Sequence, residues 1–146
     1  MILLGSAEET AALGRRLAGL IRPGDVVALS GELGTGKTTF ARGILNGLGF
    51  EGDVTSPTFS IVQTYDDLVV PLAHVDLYRI EQETELEELG LDDVLIDGAL
   101  VIEWPERLGA RLWPAALRLR LTAAGEGARA LTALVPPAWE GRWPPR

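Results

Sequence analysis

The chain has 146 residues, 47% hydrophobic and 23% charged, with a net charge of −8 and no cysteine. That length suits one domain with a hydrophobic core, and the composition excludes disulfides and thiolate chemistry. It also holds no apolar run of about 18 residues, so no membrane span is expected, and an acidic chain repels phosphate backbones, so unaided nucleic-acid binding is not expected. The start, "MILLGSAEET", lacks the basic region and long apolar run of a signal peptide, which points to a cytoplasmic protein.

Residues 7–21 place Ala12, Leu13, Leu17, Leu20 and Ile21 at helical spacing behind Ser6, a candidate N-cap. "VVALSG" (26–31) is a short apolar run suited to a buried strand. A helix is predicted over 37–48 through Phe40, Ile44, Leu45 and Leu48, with Gly49 as its stop. "DVTSPTF" (53–59) reads as an ordered loop, because Pro57 restricts Ser56. "FSIVQTY" (59–65) and "LVVPLAHVDLY" (68–78) read as an antiparallel hairpin turning at Asp66-Asp67. An acidic helix is predicted over 83–91 and a buried strand over 99–104. "ALRLRLT" (116–122) and "ARALTALV" (128–135) alternate around a Gly-rich turn and read as a second hairpin. The order suggests a three-layer α/β fold with a mixed, partly antiparallel sheet over residues 1–136. Residues 137–146 form a Pro/Trp-rich tail, loose or packed as an irregular strap.

Charge is distributed unevenly. Residues 81–106 carry ten acids and no base, whereas 107–146 carry two acids and seven arginines. The acidic stretch is one candidate docking surface for a basic patch, and the arginines could meet RNA or an acidic partner. Lys37 is the only lysine, beside twelve arginines. It lies in "GELGTGKTTF", where Gly31, Gly36, Lys37 and Thr38 satisfy G-x-x-x-x-G-K-[ST]. Glycines let the backbone turn with positive φ and aim its N–H groups at phosphate. The following helix adds the positive end of its dipole. Lys37 supplies a slim point charge that a planar guanidinium does not replace, and Thr38 offers a hydroxyl to Mg²⁺.

Such a site uses an acid at the end of a neighbouring strand. Asp76 closes "LAHVD" and Glu103 closes "LVIE"; either is suited to support the metal or orient the attacking water. Thr58 in "TSPTF" is a candidate mobile hydroxyl for the metal or γ-phosphate. His74, the only histidine, reads as a structural residue of its strand, and Trp104 packs near the nucleotide or in the rim. Arg79 is placed for a phosphate, an acidic partner or an ordinary ion pair. A conventional GTPase is disfavoured, because no second lysine remains for Asn-Lys-x-Asp, and no LSGGQ-type signature is present. A small-molecule kinase, or a nucleotide-dependent scaffold without turnover, is the alternative to an ATPase.

"GELGTGKTTFARGIL", "VTSPTFSIVQTY", "HVDLYR" and "VIEWPE" occur in this order and at these spacings. Together they resemble the bacterial TsaE family, also called YjeE, over about residues 6–106, with "ARALTALV" similar to its last strand. The resemblance implies a P-loop NTPase fold and a small, weak, Mg²⁺-dependent ATPase that acts on the TsaD–TsaB complex in making threonylcarbamoyladenosine in tRNA. It implies that Leu33, Gly34, Thr35, Gly36, Lys37, Thr38 and Thr39 bind ATP or ADP. It implies Thr38 and Glu103 on Mg²⁺, Asp76 as an acid needed for activity, and Ser56 and Thr58 in a switch loop. Ser6, Thr10 and Arg129 would lie near the base or ribose. Glu32 stands where the family usually has Asp.

Overall fold

A computed structural model describes residues 1–32, 34–54 and 61–145. Its centre is a seven-stranded mixed sheet, in chain order β1 (Ile2–Leu4), β2 (Val26–Ser30), β3 (Val62–Tyr65), β4 (Leu72–Asp76), β5 (Ala99–Glu103), β6 (Leu117–Ala123) and β7 (Arg129–Leu134). In space the order is β1-β7-β6-β2-β5-β4-β3. β2 runs parallel to both β5 and β6, and β4 parallel to β5. The β3–β4 and β6–β7 hairpins and the β1–β7 pair are antiparallel. Both expected hairpins are present, and the sheet is mixed as the alternation of long apolar and half-exposed strands suggested.

Four α-helices occur among the described residues: α1 (Ala7–Ala18), α2 (Lys37–Gly47), α3 (Glu83–Glu88) and α4 (Leu91–Val94). Ser6 caps α1 by accepting from the Glu9 N–H at 3.2 Å, satisfying one of the orphan donors of a helix start. One sheet face packs on α1 and α2 through Val27, Leu29, Leu72, Val101 and Leu119. The opposite face uses the alternate residues Val26, Ala28, Val75, Leu100 and Ile102 against Leu86, Leu91 and Leu108. That alternation is the period-2 geometry of strands, and it makes three layers.

α1 and α2 touch through glycine. A β-carbon on Gly43 would lie 2.1 Å from the Ala11 carbonyl oxygen, and one on Gly14 would lie 2.4 Å from that of Phe40. The backbones therefore approach as closely as backbones can, and α1 is held tightly over the start of α2.

Several elements differ from expectation. β1 was not expected; its three residues carry no period of their own and are held by β7. The run 68–78 is strand only from Leu72, because Pro71 has no N–H to donate to a ladder. The acidic helix is two helices, split at Gly90, which adopts φ 64. A kinked 3-10 segment, Pro105–Arg111, follows β5. In the tail, Trp139 is fully buried in the α1/α2 core. Arg142 lies 3.9 Å over its ring and binds Asp25 at 2.7 and 3.1 Å and the Leu20 carbonyl at 2.8 Å.

Candidate functional site

The loop between β2 and α2 is built around left-handed glycines. Gly31, Gly34 and Gly36 have φ of 141, 79 and 96. Gly31 is required twice over, since a β-carbon there would sit 2.4 Å from the Leu121 carbonyl oxygen. Thr35 pins the turn, its hydroxyl donating to the Glu32 carbonyl at 2.7 Å. α2 begins without a side-chain cap and without an acid in its first turn. Its first N–H groups and dipole are thus left to an anion.

Lys37 is 5% exposed. Its ammonium donates to the Gly31 carbonyl and, at 3.2 Å, to that of Glu32. It also lies 4.1 Å from the centre of the Trp104 ring, a cation–π contact. Burial holds its pKa below the ordinary lysine value, opposed by the negative charges of Glu103, Glu106 and Asp76.

The two strand-end acids are register partners: Asp76 of β4 faces Glu103 of β5 across the parallel ladder. Both are buried and both border the loop. The Thr38 hydroxyl lies 3.2 and 3.3 Å from the two Glu103 carboxylate oxygens. Asp76 accepts from the Tyr78 N–H at 2.9 Å. Trp104, next after Glu103, has φ 61. A large residue held left-handed costs on the order of 1–3 kcal/mol and marks a constrained site. Its ring leans on Tyr78, centroids 4.9 Å apart.

A cavity of about 600 Å³ gathers these groups, within the range of cofactor sites. Gly34, Thr35, Gly36, Lys37, Thr38, Thr39, Asp76, Glu103, Trp104, Ser6, Thr10 and Arg129 all line it. Arg129 reaches from β7 to the far side of the loop, donating to the Gly34 carbonyl at 2.9 Å. Thr10 gives its hydroxyl to the Ser6 carbonyl and turns its methyl toward Gly36. Leu33, Ser56 and Thr58 lie outside the described residues.

Sequence reasoning missed two participants. Tyr78 lines the cavity; its signal was the aromatic two places after Asp76. His74 is fully buried, with Nε2 2.6 Å from Glu103 Oε2. Alternation put His74 on the face of Asp76, but only the β4–β5 register brings it to Glu103. Thr38 and Glu103 offer hard oxygen donors to a cation. Among the described residues no group of three or more His, Cys, Asp or Glu is arranged to hold a metal. Two such donors would leave the rest of a cation's shell to other ligands, such as phosphate or water.

Comparison with known proteins adds a family. The model for "Threonylcarbamoyl adenosine biosynthesis protein TsaE" matches residues 4–131. A Bacillus subtilis tRNA threonylcarbamoyladenosine biosynthesis protein TsaE is 42% identical over 126 residues, covering 86% of this chain and 78% of the relative. The Streptomyces coelicolor protein of the same name is 51% identical over 115 residues, covering 77% and 78%. Among solved structures, the crystal structure of Bacillus subtilis YdiB is similar with a TM-score of 0.81 at 34% identity, covering 96% of this chain and 88% of that one.

Proposed function

Because the chain belongs to the TsaE family of threonylcarbamoyl adenosine biosynthesis proteins, we propose that it is the ATP-binding, ATP-hydrolysing subunit of that tRNA modification, built on a P-loop NTPase fold. The observation that carries the reading is the convergence of the glycine loop, Lys37, Thr38, Asp76 and Glu103 on one cavity.

In this reading the first amides of α2 and the loop cradle the phosphates. Lys37 leaves the Gly31 and Glu32 carbonyls and turns to the β- and γ-phosphates. Thr38 and Glu103 would hold Mg²⁺, which when bound would supply positive charge against that developing on the transferred phosphoryl group. Asp76, the register partner of Glu103, is the second acid, and either carboxylate is suited to orient the attacking water. Arg129 steadies the loop from the ribose side, with Ser6 and Thr10 opposite, and Trp104 closes the rim over Lys37.

The resting contacts of Lys37 and Thr38 favour a slow ATPase, because both groups must exchange partners before catalysis. The TsaD–TsaB complex is the proposed partner that tips this exchange. The net charge of −8 favours work on a protein complex over direct retention of tRNA. No helix among the described residues is long and apolar enough to cross a membrane.

The test is reconstitution of tRNA modification with Lys37→Ala and Glu103→Ala. Both should abolish modification and phosphate release while binding to TsaD–TsaB persists. A phosphorylated small molecule in place of free phosphate would establish a kinase. Loss of complex assembly alone would establish a scaffold.

A further inference from the structure

We propose that His74 is the positioning residue for Glu103: its Nε2–H holds the carboxylate turned toward Thr38 and so sets the affinity for the Mg²⁺–nucleotide complex. The inference rests on the nucleotide-binding reading given above and extends it to a residue that touches neither nucleotide nor metal.

The argument starts from the strands. His74 lies on β4 two residues before Asp76, and pairs in register with Val101, two residues before Glu103. Residues two apart share a face, so His74 and Glu103 are diagonal neighbours on the side of the sheet that meets α2. His74 is 0% exposed and Glu103 3%. The 2.6 Å separation between Nε2 and Oε2 is a short hydrogen bond, and a carboxylate acceptor strengthens it.

The proton in that bond belongs to the histidine. An ionised carboxylate only accepts, so Nε2 must carry the hydrogen. Nδ1 is buried and has no hydrogen-bond partner among the described residues. With the hydrogen on Nε2, that nitrogen meets the carboxylate and Nδ1 faces no donor or acceptor among the described residues.

A glutamate has three side-chain torsions and, when buried, needs donors to fix them. Within the described residues Glu103 is held from two directions, by His74 at Oε2 and by the Thr38 hydroxyl beside both oxygens. In the proposed complex a lone pair of the Thr38 oxygen would face the metal while its one O–H stays available to the carboxylate. His74 is the donor that fixes Oε2 from within the sheet, away from the metal. Loss of a hydrogen bond of this kind behind a metal ligand weakens metal affinity by roughly 10–100-fold.

The test uses His74→Met, which keeps bulk and removes the donor, and His74→Gln, whose amide nitrogen can donate at similar reach. Binding of a fluorescent ADP is measured with and without Mg²⁺, alongside the thermal midpoint. His74→Met should raise the Mg²⁺ concentration for half-maximal enhancement about tenfold or more, leave metal-free ADP binding within about twofold, and be largely rescued in His74→Gln. A folded His74→Met with unchanged Mg²⁺ dependence overturns the proposal, as does a His74→Gln no better than Met at matched stability. If His74→Met does not fold, His74→Asn replaces it: its shorter amide should lose the Mg²⁺ effect that Gln keeps, and equal behaviour of the two refutes the role. A wild-type chain that binds no ADP at all would instead remove the nucleotide reading beneath it.

Discussion

Gly43→Ala sets two familiar effects against each other. In an isolated helix the change is favourable by about 1 kcal/mol. Here the new β-carbon would lie 2.1 Å from Ala11 O, 2.9 Å from Ala11 C and 3.0 Å from Ala11 Cα. All three are backbone atoms, so no side-chain rotation relieves the overlap. α1 and α2 must part by about 0.9 Å merely to bring the oxygen to 3.0 Å, the lower limit of real β-carbon contacts. Overpacking of this kind costs about 1–3 kcal/mol and occasionally more. Contact with rigid backbone places Gly43 at the upper end, so the net change is about 2 kcal/mol of destabilisation. For a chain of this size that is a fall in Tm of about 4–8 °C. The same displacement separates Thr10 from Gly36 and should weaken ADP binding about tenfold, or about 1.4 kcal/mol. Circular dichroism melting and a fluorescent-ADP titration read both quantities. Gly19→Ala is the control: φ is −66, and the nearest atom to an added β-carbon is 3.5 Å away, so Tm should hold or rise slightly. If Gly43→Ala melts with Gly19→Ala, the close-packed helix pair does not support the loop.

Trp139→Ala should cost about 3–5 kcal/mol in urea unfolding, as for a fully buried aromatic, whereas a loose tail would show no change. Arg129→Ala removes the clamp on the Gly34 carbonyl; ADP affinity should fall several-fold with Tm nearly unchanged, and equal affinity would detach Arg129 from the site. Glu103→Gln keeps an acceptor for His74 while losing the charge; stability should stay within about 1 kcal/mol while Mg²⁺ no longer strengthens ADP binding. Lys37 has a pKa held below 10.5 by burial in the free chain, and bound phosphate must raise it. Between those two values binding takes up a proton, so affinity should fall as pH rises through that window; calorimetry in two buffers of different ionisation heat reads the uptake, and none there would contradict the role of Lys37.

The glycine loop was legible because three requirements coincide in a few residues: positive φ, a lysine and a helix start. The strand-end acids were legible from the abrupt end of two apolar runs at Asp76 and Glu103. Their pairing was not, because sequence distance says nothing about register, and it is the register that makes them neighbours. The same gap hid His74, whose flanking Ala73 and Val75 describe a strand and not the Glu103 side chain two strand positions further along β5. Gly90 was misread since the apolar period continues on both sides of it; only its left-handed backbone splits the helix. The arginines of the last forty residues left RNA or an acidic partner open, and only Arg129 was placed near the nucleotide. Arg142 is bound to Asp25 and Arg129 to the loop, contacts that join distant parts of the chain and leave no local pattern.

The sheet order has a consequence for biosynthesis. β2 lies between β5 and β6, so the ribosome releases its apolar strand long before either neighbour exists. Pairing that waits for distant sequence is slow, and the exposed edge invites aggregation meanwhile. The glycine loop emerges just after β2, yet its clamp, Arg129, arrives with the last strand. A nascent or truncated chain ending after α2 therefore displays the whole phosphate-loop motif as an orphan edge for chaperones to shield, and the motif becomes a site only when the two ends of the chain meet.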